Sequence, residues 1–172
     1  MKKVVLTFGL LSGVLSAGMM AATIPFAEAI GFDRMLVVGY TSIVISFLFV
    51  YFGVRSYRDN VLGGQISFGK GFQAGILITL ISCFFYVAAW LVVYYNFIPD
   101  FADKYGAYLV EDQRSQGASQ AEIDKVIKQN EEMKAMLDNP LINAAVTFTE
   151  PFPIGLLITL ISAGVLKKKD GV

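Results

Sequence analysis

The chain has 172 residues, 55% hydrophobic and 16% charged, with 14 basic groups balancing 14 acidic ones, no histidine and one cysteine. Without histidine there is no Ser-His-Asp or Cys-His catalysis and no familiar Cys/His zinc set, and a single cysteine gives no disulfide framework within one chain. A net charge of zero offers nothing to a nucleic acid, and neither a metal nor a cofactor is expected.

Ordinary soluble domains carry about 25% charged residues. The shortfall is concentrated in four nearly charge-free stretches, 4–27, 35–54, 72–98 and 141–166. Each approaches or exceeds the roughly 20 residues that an α-helix needs to cross hydrocarbon. The expected fold class is an all-α integral membrane protein, a single membrane domain over 1–172 with four transmembrane helices.

The first stretch follows Met1-Lys-Lys and contains small residues, as a secretory signal does. At roughly 24 residues it exceeds a signal's apolar region of about 7–15, so it is read as a retained first span. Gly9, Gly13 and Ala17 recur every four residues, beside Ser12 and Ser16, and predict a face for close helix packing. Pro25 and Glu28 mark the far end, and Gly31-Phe-Asp-Arg34 reads as a tight hairpin carrying Arg34 into the second span.

The loop from Arg55 to Gly71 holds Arg55, Arg58 and Lys70 against Asp59 alone. Gly63-Gly64 predicts a turn, and Gly69 and Gly71 are expected to turn the chain back into the membrane. A glycine-rich loop with a lysine suggests phosphate binding, but no Gly-Lys-Ser/Thr ending is present. Its basic groups are instead expected among anionic headgroups, with Lys167, Lys168 and Lys169 after the last span. With Lys2 and Lys3, these segments place basic residues on one side of the membrane. Residues 99–140, by contrast, carry nine acidic and five basic residues. Lys and Arg near span ends favour the cytoplasm, so both termini are predicted inside and 99–140 outside.

The outer half of the third span is rich in aromatics, and Tyr86 lies deep enough that its hydroxyl needs a protein partner. Residues 99–140 read as an extracytoplasmic helical hairpin. Phe101, Tyr105, Tyr108 and Leu109 share one face, and Gly117 stops the first helix. Ser119-Gln-Ala-Glu122 is a capping box for the second helix, where Asp124 and Lys128 are placed to pair at i,i+4. Its stripe of Ile123, Val126, Ile127, Asn130, Met133 and Leu137 must bury against the other helix and the span ends, or against a second protein.

Tyr57-Arg-Asp with Gly63-Gly-Gln-Ile-Ser-Phe-Gly-Lys-Gly71, Phe97-Ile-Pro-Asp-Phe101, Gln116-Gly-Ala-Ser119 and Thr149-Glu-Pro-Phe-Pro-Ile-Gly155 span nearly the whole chain. In these motifs the sequence resembles the DUF4199 family. The resemblance implies a small four-span protein of the bacterial inner membrane and transfers no activity and no site residue.

Gly75-Ile-Leu-Ile-Thr-Leu-Ile-Ser82 and Gly155-Leu-Leu-Ile-Thr-Leu-Ile-Ser162 match at seven of eight positions, which suggests that the third and fourth spans pack together. Within the last span, Glu150 precedes Pro151 and Pro153, which remove amide donors and predict a helix break. An ionisable group at membrane depth is by default a functional candidate. Counting back from Lys167 puts Glu150 just inside the outer boundary, level with Glu28. A polar cluster of Glu150, Glu28 and Arg34 with Tyr94 or Tyr95 is expected beneath the hairpin. It is either a ligand or proton site, or else a structural salt bridge or a snorkelling headgroup contact.

No acid–base pair stands at a diagnostic spacing, so an enzyme is not expected. The leading expectation is a non-enzymatic accessory protein whose outer insert or basic inner face docks a partner, either another membrane protein or a second copy. The alternative is a self-associating transporter of small molecules or lipids that uses the acidic cluster. The lipid bilayer is the one partner common to both.

Overall fold

In a computed structural model of the chain, residues 1–168 are described, Glu28 by its backbone alone. They are helical almost throughout. Helix α1 (Lys2–Thr23) passes through a 3-10 turn (Ile24–Phe26) into the short α2 (Ala27–Ile30), and α3 (Phe32–Val61) and α4 (Phe68–Asn96) follow. Then come α5 (Phe101–Ser115), α6 (Gln120–Leu137), α7 (Pro140–Phe148) and α8 (Pro151–Leu166). Among the described residues, Lys2–Phe26, Phe32–Val61, Phe68–Asn96 and Pro140–Leu166 are long and apolar enough to cross a membrane.

Helices α3 and α4 touch each other, and each packs against both α1 and α8. The centre is a stripe of α3 at three- and four-residue spacing, Ile43, Phe47, Val50 and Val54, with Ala74 and Ile78 of α4. In lipid the hydrophobic effect does not hold helices together, so close packing and interhelical hydrogen bonds must do so. Small residues make that approach possible. On α1, a Cβ at Gly9 would lie 2.9 Å from Ile81 Cβ, and one at Gly13 would lie 2.8 Å from Phe85 Cβ.

The two matching octets form the α4–α8 contact reciprocally. A Cβ at Gly75 would lie 2.8 Å from Thr159 Cγ2, and one at Gly155 would lie 2.4 Å from Thr79 Cγ2. Each octet's threonine thus fills the space left by the other's glycine. Thr79 and Thr159 share a hydroxyl hydrogen bond of 3.0 Å, and Thr79 also donates to Gly155 O at 3.3 Å. Ser82 turns the other way: it bonds Ser12 of α1 at 2.9 Å, and Ser12 donates to Ser46 O at 2.8 Å. These buried hydroxyls join all four long helices without leaving a buried side-chain polar atom unpaired among the described residues.

Two connections differ from expectation. Gly31, at φ +89°, reverses the chain by itself, and Met35 N already donates to Gly31 O. Arg34 therefore lies in the first turn of α3 and not in a loop. On the opposite end, α3 runs to Val61, so Arg55 and Arg58 are helical, and the connection is only residues 62–67. Gly63 and Gly64 make the turn at φ +67° and +92°. Ser67 then caps α4, its hydroxyl accepting from Lys70 N. Gly69 and Gly71 are consequently inside α4 and turn nothing; Gly71 instead lets α8 approach, with Ala163 Cα 3.3 Å from where its Cβ would be. The same loop is tied to the end of α8 by Ile66 N to Lys168 O and Lys168 N to Ile66 O, 3.1 and 3.0 Å.

Helices α5 and α6 form an antiparallel hairpin. Gly117 (φ +76°) ends the first, and Glu122 closes the second by accepting from Ser119 N and Oγ at 2.7 and 2.8 Å. Those two bonds hold the Glu122 carboxyl below its ordinary pKa. Asn130 reaches Gly106 O at 3.1 Å and Lys134 reaches Asp103 at 2.5 Å, which fixes the pair. Asp124 and Lys128 do not meet. Asp124 accepts from Gln120, and Lys128 lies 3.9 Å from Glu132, each satisfied one turn away.

Candidate functional site

The fourth long helix is broken where its prolines stand. Helix α7 stops at Phe148, and Pro151 and Pro153 both fall in the first turn of α8, where amide donors have no intrahelical acceptor. The carbonyls left upstream are taken locally. Val146 O accepts from both Thr149 N and Thr149 Oγ1, at 3.0 and 2.6 Å, and Thr147 O accepts from Glu150 N at 3.3 Å. Glu150 becomes the residue immediately before α8, where its negative charge meets the positive end of that helix.

Two rungs then join α4 to this segment. In the first, the Tyr86 hydroxyl donates to Glu150 Oε2 at 3.0 Å. In the second, one turn further along α4, Trp90 Nε1 donates to Asn143 Oδ1 at 2.9 Å. Asn143 is fully buried and uses its entire amide. Its Oδ1 also accepts from Thr147 Oγ1, while its Nδ2 donates to Leu137 O at 3.0 Å and to the Tyr95 hydroxyl at 3.4 Å. Tyr95 in turn donates to Leu137 O at 2.6 Å. This knot anchors the end of α6 to the end of α4.

The hairpin covers the rungs with aromatic rings. Phe101 stands edge-on to Trp90 at 5.4 Å, and Tyr105 stacks on Phe101 at 6.0 Å. Phe32, the first residue of α3, packs against Tyr105 at 5.4 Å and Tyr108 at 5.2 Å. The Tyr108 hydroxyl donates to Asp33, and that bond to a carboxylate pushes its pKa up to about 12. Tyr105 is also raised, first by burial and then by Tyr40, Asp33 and Glu150 around it. Tyr86 and Glu150 therefore meet at the hairpin end of the bundle.

A family profile described as "Protein of unknown function (DUF4199)" matches residues 7–168. The chain belongs to the DUF4199 family. No curated protein and no solved structure matches it.

In this DUF4199 member the residues singled out by sequence are distributed as follows. Glu150 meets Tyr86, while Tyr94 packs against Trp90 and Tyr95 at 5.5 and 5.0 Å and Tyr95 belongs to the Asn143 knot. Arg34 is exposed on α3 and makes no ion pair among the described residues. The side chain of Glu28 lies outside the described residues, as does Lys169. Arg55, Arg58, Lys70, Lys167 and Lys168 lie on segments that meet at the opposite end of the bundle, and Arg55 and Arg58 both engage Asp59, at 3.6 and 2.6 Å. Among the described residues no three metal-ligating side chains converge.

Asn143 and its partner Trp90 had no role in the cluster expected from sequence. The signal was available: Asn143, Thr147 and Glu150 stand at i, i+4 and i+7 in an otherwise apolar stretch, opposite Tyr86 and Trp90 at i and i+4.

Proposed function

We propose that the chain is a multi-pass protein of the bacterial cytoplasmic membrane, with both termini cytoplasmic and the α5–α6 hairpin outside. Lys2, Lys3, Arg55, Arg58, Lys70, Lys167 and Lys168 fall at the end away from the hairpin, and this distribution supports that orientation. The protein acts without enzymatic chemistry or a cofactor, as an accessory protein that docks another membrane protein through the hairpin.

The observation that carries this reading is the state of α6. The hairpin is fastened to the bundle through α5 and the end of α6, yet Met133 and Met136 remain exposed. They line a cleft of about 400 Å³ with Phe101, Leu109 and Leu137. Beyond Leu137, Leu141, 83% exposed, and Ile142 are also uncovered, on the flank of the fourth long helix. An apolar helix of a membrane partner, lying along that flank, fits this surface, and methionine suits such contacts because it repacks readily. A photocrosslinker at Met133 tests the reading. One discrete adduct, absent when the crosslinker stands at Lys125 instead, supports it; an uncrosslinked monomer in both cases opposes it.

A second reading, a self-associating carrier of small molecules or lipids, is favoured by Glu150. It is a carboxylate at the flank of a long apolar helix with no lysine or arginine partner among the described residues. Glu150→Gln in a liposome flux assay tests it, and unchanged flux removes Glu150 from any transport role.

A further inference from the structure

We infer that the end of the α4–α8 pair away from the hairpin is a binding surface for the phosphate headgroup of an anionic phospholipid, held by Lys70, Lys167 and Lys168. The packing register of the two helices brings these lysines together. Thr79 meets Gly155, Gly75 meets Thr159 and Gly71 meets Ala163, so four residues back along α4 are matched by four forward along α8. The next such step sets Lys167 level with Ser67, one turn from Lys70. The paired bonds between Ile66 and Lys168, at 3.1 and 3.0 Å, carry the register past both helix ends. Two lysine-bearing segments far apart in sequence are thus fixed side by side.

The protein does not balance this charge. The sequence has no Asp or Glu from 60 to 99 or from 151 to 169. Asp59, just before the first of those stretches, is taken by Arg58 and Arg55 at 2.6 and 3.6 Å. Lys70, Lys167 and Lys168 are exposed and make no ion pair among the described residues. Like charges held together repel unless an anion joins them. An anionic leaflet supplies one, worth about fivefold in affinity for each lysine at its surface. The surroundings select a lipid over a free anion. Next to the lysines the open flank of α8 is apolar, with Val165, Ile161 and Leu157 exposed at four-residue spacing. Phe68, two residues before Lys70, is also exposed and stacks on Phe72 at 6.3 Å. A phosphate carrying acyl chains uses both the charge and the apolar flank, whereas a free phosphate uses the charge alone.

Full-length protein, delipidated in a neutral maltoside detergent, is given equal amounts of phosphatidylglycerol and phosphatidylcholine with the same acyl chains. Native mass spectrometry reads the lipid that stays bound. Phosphatidylglycerol is expected to be retained over phosphatidylcholine by about tenfold or more. Lys70→Gln/Lys167→Gln/Lys168→Gln is expected to bring the two lipids to within about twofold of each other. Protection of the buried Cys83 from a maleimide shows that the fold survives. Lys70→Gln and Lys168→Gln alone are each expected to lower the preference about two- to fivefold, so the test does not depend on the triple variant folding. Lys2→Gln/Lys3→Gln removes basic charge from the same end, but on α1, and is expected to leave the preference within about twofold of the parent. Glycerol phosphate, which has the charge without acyl chains, is expected to leave the lipid bound at constant ionic strength. No preference in the parent, a preference unchanged in the Lys70 and Lys168 variants, an equal loss in the α1 variant, or displacement by glycerol phosphate would overturn the surface. The hairpin takes no part in this surface, so the outcome is independent of the docking role.

Discussion

Thr79 of α4 and Thr159 of α8 share a hydroxyl hydrogen bond of 3.0 Å, and each packs over the glycine that opens the other's octet. The two effects differ in size. An interhelical hydrogen bond within a membrane averages about 0.6 kcal/mol, while an extra methyl group forced into a tight contact costs about 1–3 kcal/mol. Gly155→Ala would meet Thr79 Cγ2 at 2.4 Å and Phe47 Cζ at 2.8 Å, neither of which can swing away easily. It should therefore destabilise the bundle more than Thr79→Val does. Unfolding in mixed micelles followed by circular dichroism measures both, and the opposite ranking would mean that the hydroxyl pair outweighs the glycine packing.

Asn143→Leu should be among the most damaging single changes. It strips the acceptor from Trp90 Nε1 and Thr147 Oγ1, leaving those donors unpaired at about 1–3 kcal/mol each, while Leu137 O keeps the Tyr95 hydroxyl. Trp90 emission should shift along with the loss of stability. Stability within about 0.5 kcal/mol of the parent protein would show that water replaces the amide.

The hairpin's attachment should weaken in alkali. Tyr108 has a pKa of about 12 when bonded to Asp33, above the ordinary 10. A group with a raised folded-state value contributes stability that is fully present below pH 10 and disappears as pH rises through about 12. Tyrosinate absorbance should show late-ionising phenols, one fewer of them in Tyr108→Phe. In that variant protease cleavage between α5 and α6 should lose its dependence on pH over the same window. An unchanged profile would place the late phenol elsewhere.

Cys83 is fully buried, so a maleimide should not reach it in the native protein, and burial rather than chemistry makes it inert. Cysteines introduced at Gln113 and Lys3 then report on sidedness. A membrane-impermeant maleimide applied to spheroplasts should label position 113 at once and position 3 only after lysis. Labelling in the reverse order would invert the orientation.

The apolar stretches made the four long helices legible, and Gly117 with the Ser119–Glu122 box made the hairpin legible, because both signals are local. The octet match pointed to the α4–α8 contact, although reciprocal Gly–Thr packing required the geometry. Helix ends were harder. Arg55, Arg58, Phe68 and Lys70 look like loop residues by charge and glycine content, yet α3 carries the first two because nothing breaks it before Gly63, and α4 carries the other two because Ser67 caps it just upstream. The polar region was legible as to Glu150 and its break. It was not legible as to partners, because long-range pairing depends on helix rotation: Tyr86 faces Glu150, while Tyr94 and Tyr95, two turns further on, face the Asn143 knot.

The docking role rests on the exposed methionine surface of α6. The most direct measurement is the native mass of the crosslinked protein after extraction in mild detergent, compared between the parent chain and Met133→Glu/Met136→Glu. A complex heavier than the monomer in the parent, containing a second membrane protein and lost in the double variant while the fold survives, is the predicted result. A monomer in both, or a complex that persists in the variant, would contradict it.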